Sequence, residues 1–167
     1  MPEETLTPER YINDRVKQYQ GWYDNKAVTC KSRYLNMRAF SVIGGGLVPV
    51  LINIDNDAFR IYGFPVIKSL VTLISLLVVV FVSLESVYHY KEQWKNYRST
   101  EQLLGHEQFL FRAKVGHYAE LESQEAFLLF VERVEDAIAS ENSATLNVMT
   151  LAMEAADDGH KKLPKGA

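Results

Sequence analysis

Thr72, Ser75, Val79 and Ser83 recur at steps of three and four residues inside the apolar stretch SLVTLISLLVVVFVSL, and Glu85 follows directly. Residues at that spacing share one side of a helix, so the chemistry they offer is contact with water, ions or a partner helix rather than bond making. In an oligomer, Glu85 would repeat as a ring of carboxylates at an inner mouth and draw in cations. Ser41, Gly45, Pro49 and Asn53 fall four apart in the earlier stretch AFSVIGGGLVPVLINI and form a second set, pore-lining or hinge-like. Small residues there admit another helix, and Pro49 frees the carbonyl of Gly45. Gly44, Gly45 and Gly46 weaken the helix further.

Bond-making chemistry has little to stand on. His89, His106, His117 and His160 are scattered without a pair at metal-ligand spacing, and no nucleophile, base and orienting acid group together. The triple glycine is not a phosphate loop, because no Lys-Ser/Thr follows it and it lies inside an apolar run. The expectation is therefore no enzyme, no metal and no cofactor. Cys30, the single cysteine, allows no disulfide within one chain and reads as a small packing residue.

The elements that carry these residues are two uncharged runs, Ala39 to Ile54 and Ser69 to Leu84. At about 1.5 Å per residue each covers roughly 24 Å of a hydrocarbon core of about 30 Å. The flanks extend them, with Tyr34 and Phe40 beside the first, Phe59, Tyr62 and Phe64 between the two, and Tyr88, Tyr90 and Trp94 after the second, where membrane interfaces favour aromatic rings. The reading is an all-α integral membrane hairpin, with spans at about 39–56 and 65–88 and a short external loop. A buried hairpin in a soluble core fits less well, since the second run has no polar face broad enough to meet water.

Lys26, Lys31, Arg33 and Arg38 precede the first span and Lys91, Lys95 and Arg98 follow the second, against Arg60 alone in the loop. That asymmetry places both termini in the cytoplasm of a cell with an inner membrane, and the same cations suit anionic lipid. Lys68 can snorkel outward to the headgroups. A formal net charge of −3 gives no reason to expect nucleic acid.

Outside the membrane the chain reads as helix. Thr7-Pro8-Glu9 is a helix start, and Ile12, Val16, Tyr19, Tyr23, Ala27 and Cys30, continued by Tyr34 and Met37, form a seam. This cytosolic helix, 1–38, packs either on a neighbouring subunit as an oligomerisation seam or on the chain's own helices. The cytosolic region 89–156 continues the second span through Val87, Tyr90, Trp94 and Tyr97, with an interruption near Ser99, Thr100 or Gly105 and an end at Gly116. A final helix starts after Ser123 with Phe127, Phe130, Val131, Val134 and Ile138 inward, and 157–167 reads as a disordered tail. No strand is expected.

Particular residues carry a family resemblance. Trp22-Tyr23, Lys26-Ala27, Lys31, Tyr34 and Arg38 precede a Gly-rich span ending Leu47-Val48-Pro49-Val50-Leu51. Trp94, Tyr97-Arg98, Thr100-Glu101, Leu104, Glu107, Phe111 and Gly116-x-Tyr118 follow the second span. The pattern resembles the bacterial family called domain of unknown function 4231, related to the SLATT group (SMODS and SLOG-associating two-TM effectors) of two-span pore-forming effectors that act beside nucleotide-sensing partners. The resemblance implies an oligomeric membrane pore. Because two helices cannot enclose water, a pore requires about four or more copies of the chain, with ions as its cargo. The loop IDNDAFRIYGF is too short for a carbonyl filter, so any selectivity falls to side chains. The rival is a non-conducting membrane-anchored scaffold that recruits a cytosolic partner.

Overall fold

The computed structural model describes the backbone of residues 6–54, 60, 61 and 64–161, and the side chains of 6–54 and 65–150. Phe59, Tyr62, the Phe64 side chain and residues 162–167 lie outside what is described. The element order is α1 (Pro8–Tyr11), a π-helical turn (Ile12–Val16), α2 (Lys17–Ile52), β1 (Arg60–Ile61), β2 (Phe64–Pro65), α3 (Val66–Tyr88), α4 (Tyr90–Ala113), a 3-10 turn (Gly116–Tyr118) and α5 (Ser123–Lys161). The chain is all-helical apart from the antiparallel pairing of the two-residue segments β1 and β2. It divides into two compact units, one made of 1–30 with 91–150 and the other of 31–90 with 151–167.

In the first unit the helix start at Thr7 is realised. Its Oγ1 accepts from the Arg10 N–H at 3.3 Å, with Pro8 in the first turn, where a missing donor costs nothing. The seam running from the π-turn into α2 is buried, with Val16, Tyr23 and Ala27 fully covered and Ile12 and Cys30 nearly so. Tyr97, Thr100 and Leu104 of α4 and Phe127, Phe130, Val134 and Ile138 of α5 are buried in the same unit, each row recurring at three and four residues, and Tyr23 meets Tyr97 with centroids 6.1 Å apart. Phe111 stacks on Phe130 with centroids 4.5 Å apart, and Tyr11 meets Phe127 and Phe130 edge-on at 6.0 Å.

Polar ties fix the register of these helices. Glu107, 2 % exposed, accepts from Arg133 Nε at 2.9 Å and from the Tyr118 hydroxyl at 2.8 Å, while Arg133 Nη2 pairs with its second oxygen. Hydrogen bonding from Arg133 outweighs burial and holds the Glu107 carboxyl below its usual range, and burial beside Glu107 pushes the Tyr118 phenol up. Glu135 takes Arg15 in a two-pronged pair and the Tyr11 hydroxyl at 2.8 Å, and Arg15 likewise lowers its pKa. The Tyr23 hydroxyl is fully buried beside the Glu141 carboxylate, and burial, with that carboxylate, raises its pKa.

Helix α4 runs unbroken through Ser99, Thr100 and Gly105, where an interruption was expected, because Thr100 and Leu104 are packed in the core and hold it straight. It ends at Ala113 and not at Gly116. Lys114 takes the left-handed position (φ 52°), with Lys114 N–H donating to Phe111 O at 3.3 Å and Val115 N–H to Leu110 O at 3.2 Å. This is a Schellman ending with a lysine where glycine is usual. Lys114→Gly should therefore raise stability by about 1 kcal/mol, read as a higher midpoint in chemical denaturation of the detergent-solubilised protein. Helix α5 reaches Lys161, so residues 157–161, expected as tail, are helical.

In the second unit the two apolar segments touch. Phe40 stacks on Phe81 at 5.4 Å, and Gly44 lies against Val78 and Ile74. Helix α2 continues through Gly44–Gly46 and Pro49 to Ile52, so the expected kink is not a break in the helix.

Candidate membrane spans and pore-facing residues

Two helices are long and apolar enough to cross a membrane, Pro8–Ile52 through its C-terminal part and Val66–Tyr88. Their outward surface is apolar and bare: Val42, Ile43, Val50 and Ile52 on α2 and Leu73, Leu76, Val79 and Val82 on α3 are each more than half exposed. Such a surface far exceeds the patch a soluble monomer shows to water, so lipid or protein must cover it.

The contacts define which edge of α3 meets α2. At about 100° per residue, Ile74, Val78 and Phe81 share one edge, and the Thr72, Ser75, Val79 and Ser83 stripe is centred roughly 130° away around the axis. Thr72, Val79 and Ser83 are exposed and Ser75 is half-buried. The structure therefore keeps this stripe off the contact with α2. Thr72 Oγ1 donates to Lys68 O at 2.9 Å and Ser83 Oγ to Val79 O at 2.8 Å, the back-bonding expected of hydroxyls in an apolar helix. Thr72 also lines a cavity of about 350 Å³ with Ile52, Ile67, Lys68 and Val71.

Glu85 does not belong to that stripe. Thirteen residues separate it from Thr72, which places it roughly 140° away, on the α2-facing edge with Val78 and Phe81, where it is half-buried. Counting the angle in the sequence would have shown this. Among the described residues it forms no ion pair.

On α2 the packing glycine is Gly44. A Cβ there would lie 2.6 Å from Val78 Cγ2, whereas at Gly45 and Gly46 nothing stands within 4 Å. The set Ser41, Gly45, Pro49 and Asn53 drifts off the contact, from half-buried Ser41 to exposed Gly45, Pro49 and Asn53. Ser41 Oγ donates to Met37 O at 2.9 Å and Asn53 Nδ2 to Pro49 O at 2.8 Å. Both candidate stripes thus remain available to neighbours or water.

The oligomerisation seam is placed differently. Ile12, Val16, Tyr23, Ala27 and Cys30 are buried against the chain's own α4 and α5, and only Tyr19 is partly open. Of the two packings the sequence allowed, the structure adopts the one within the chain.

A family model described as a protein of unknown function, DUF4231, matches residues 18–126. The chain belongs to the DUF4231 family. The match takes in both apolar segments, the whole of α4 and the Glu107 and Tyr118 pair, and it ends within the first turn of α5. No curated protein and no solved structure matches the chain. No trio of His, Cys, Asp or Glu positioned for a metal occurs among the described residues. The DUF4231 chain thus presents bare apolar helices with two polar stripes, and a separate helical unit formed by 1–30 and 91–150.

Proposed function

We propose that this DUF4231 chain is a two-span protein of a bacterial inner membrane, with an antiparallel hairpin, both termini cytoplasmic, and copies that assemble as a homo-oligomeric pore. The supporting observation is the position of the Thr72, Ser75, Val79 and Ser83 stripe. It is the hydroxyl-bearing side of an otherwise apolar helix, and it lies away from the Phe40 and Gly44 contact with α2, with Thr72, Val79 and Ser83 exposed. About four or more copies, each turning that stripe to a common axis, would enclose a water path, and the relation to the SLATT group that the family resemblance implies points the same way. The cations flanking the spans, Lys31, Arg33 and Arg38 before the first and Lys91 and Lys95 after the second, suit anionic lipid on the cytosolic side.

Ion flux through the purified protein in liposomes tests this. Thr72→Leu and Ser83→Leu should each lower flux at least about tenfold by drying the wall, while Glu85→Gln, off the stripe, should change it little. Equal flux in all four proteins would remove the stripe from the wall. No flux from a confirmed oligomer would leave the second reading, a non-conducting scaffold that holds the cytosolic helices at the bilayer. One observation favours that reading: Thr72 and Ser83 already satisfy their hydroxyls on Lys68 and Val79 carbonyls, and so need no water.

A further inference from the structure

Helices α3 and α4 are separated by one residue. His89 has φ 49° and ψ 38°, the left-handed region, and its N–H donates to Glu85 O at 3.2 Å. A residue with a Cβ adopts that conformation at a cost, which is why helices that end so usually place glycine there. Here the sequence holds no glycine or proline from Val66 to Leu104, and Val87, Tyr90, Trp94 and Tyr97 keep the helical step straight across the break. Local sequence therefore encodes one continuous helix, and something made only by the broken form must offset the difference.

Three contacts fit that requirement. Tyr88 and Tyr90 stack with centroids 5.3 Å apart and an 18° interplanar angle. Residues two apart on a continuous helix point to nearly opposite sides, so this stack exists only with the break. The Arg33 guanidinium of α2 lies 5.6 Å over the Tyr90 ring, and His89 Nδ1 lies 3.1 Å from Val87 O. One aromatic stack and one cation–π contact are of the same order as the cost of a left-handed residue. The latch is therefore of a size to offset the left-handed residue.

We propose that His89 is a two-state joint: left-handed with the Tyr88, Tyr90 and Arg33 latch closed, or right-handed with the latch open and α3 and α4 joined as one helix. The joint stands on backbone and contacts, independently of whether the spans conduct. In the broken form the Tyr90, Lys91 and Glu92 amides form the first turn of α4 and have no carbonyl one turn back; in the joined form they bond to Ser86, Val87 and Tyr88.

Hydrogen–deuterium exchange of those three amides, on the full chain in lipid nanodiscs, tests the joint. His89→Ala, which favours right-handed helix, and Tyr90→Leu, which removes the latch, should each slow exchange about tenfold. His89→Gly, which relieves the left-handed cost, should leave exchange as fast as in wild type or faster. Amides of Phe127 to Ile138 serve as the control for folding, and the two slowing variants act by different routes, so misfolding of one does not spare the idea. Wild-type rates in both His89→Ala and Tyr90→Leu, or slowing by His89→Gly, would overturn it.

Discussion

Replacing Arg133 with alanine should destabilise the protein by about 3 kcal/mol at neutral pH. The reason is what it leaves behind: Glu107 is 2 % exposed, and without the guanidinium its carboxylate keeps only the Tyr118 hydroxyl. The pH dependence carries the sign. In the wild type Glu107 is held below its ordinary range, so its contribution is full above about pH 4.3, the unfolded carboxyl value, and is lost as pH falls through the folded pKa. In Arg133→Ala the hydrogen bonding that lowered the pKa is gone and burial raises it, so the variant loses stability as pH rises through that raised value. The gap between the two proteins should be widest at neutral pH and close in acid. Urea denaturation of the solubilised protein at pH 4 and pH 7 measures it, and a gap independent of pH would show that lost packing, and not stranded charge, is responsible.

Neighbouring glycines should respond with opposite signs. Gly44→Ala puts a methyl 2.6 Å from Val78 Cγ2, and valine is stiff at χ1 and cannot swing aside, so the helices must part. The expected cost is about 1–3 kcal/mol, by the same overpacking that penalises any filled core. Gly45→Ala meets nothing within 4 Å and should gain about 1 kcal/mol through helix propensity. Unfolding of the two variants in graded SDS gives the comparison. Equal behaviour would mean that α2 and α3 do not pack through Gly44 in a bilayer.

The sequence carried the spans plainly, because an unbroken apolar run offers a helix no other place to be, and Thr7-Pro8-Glu9 carried the helix start through local hydrogen bonding alone. Features that depend on what lies across a gap were less legible. Periodicity showed that Tyr23 and Ala27 face inward but not toward which chain, since any apolar neighbour satisfies such a seam. Three glycines in a row look alike until Val78 distinguishes Gly44. Glu85 was grouped with the hydroxyl stripe by nearness along the chain, although its helical angle sets it apart. The break at His89 left no mark, because the residues around it suit a helix and the contacts that offset its cost include Arg33, more than fifty positions earlier.

The wide turn at Ile12–Val16 also has a consequence in lineage. A π-turn holds one residue more than an α-turn, and it is how a helix absorbs a single-residue insertion without being cut. It brings the adjacent residues Tyr11 and Ile12 both to the interior, and Tyr11 to Glu135. A relative lacking that extra residue would present its opening turn rotated by roughly 100° and lose the Tyr11–Glu135 bond. The family match begins at residue 18, just past this turn. The π-turn thus sets the phase of α1 apart from that of α2, so that Tyr11 can clasp α5 through Glu135 while the helix beyond keeps its own facing.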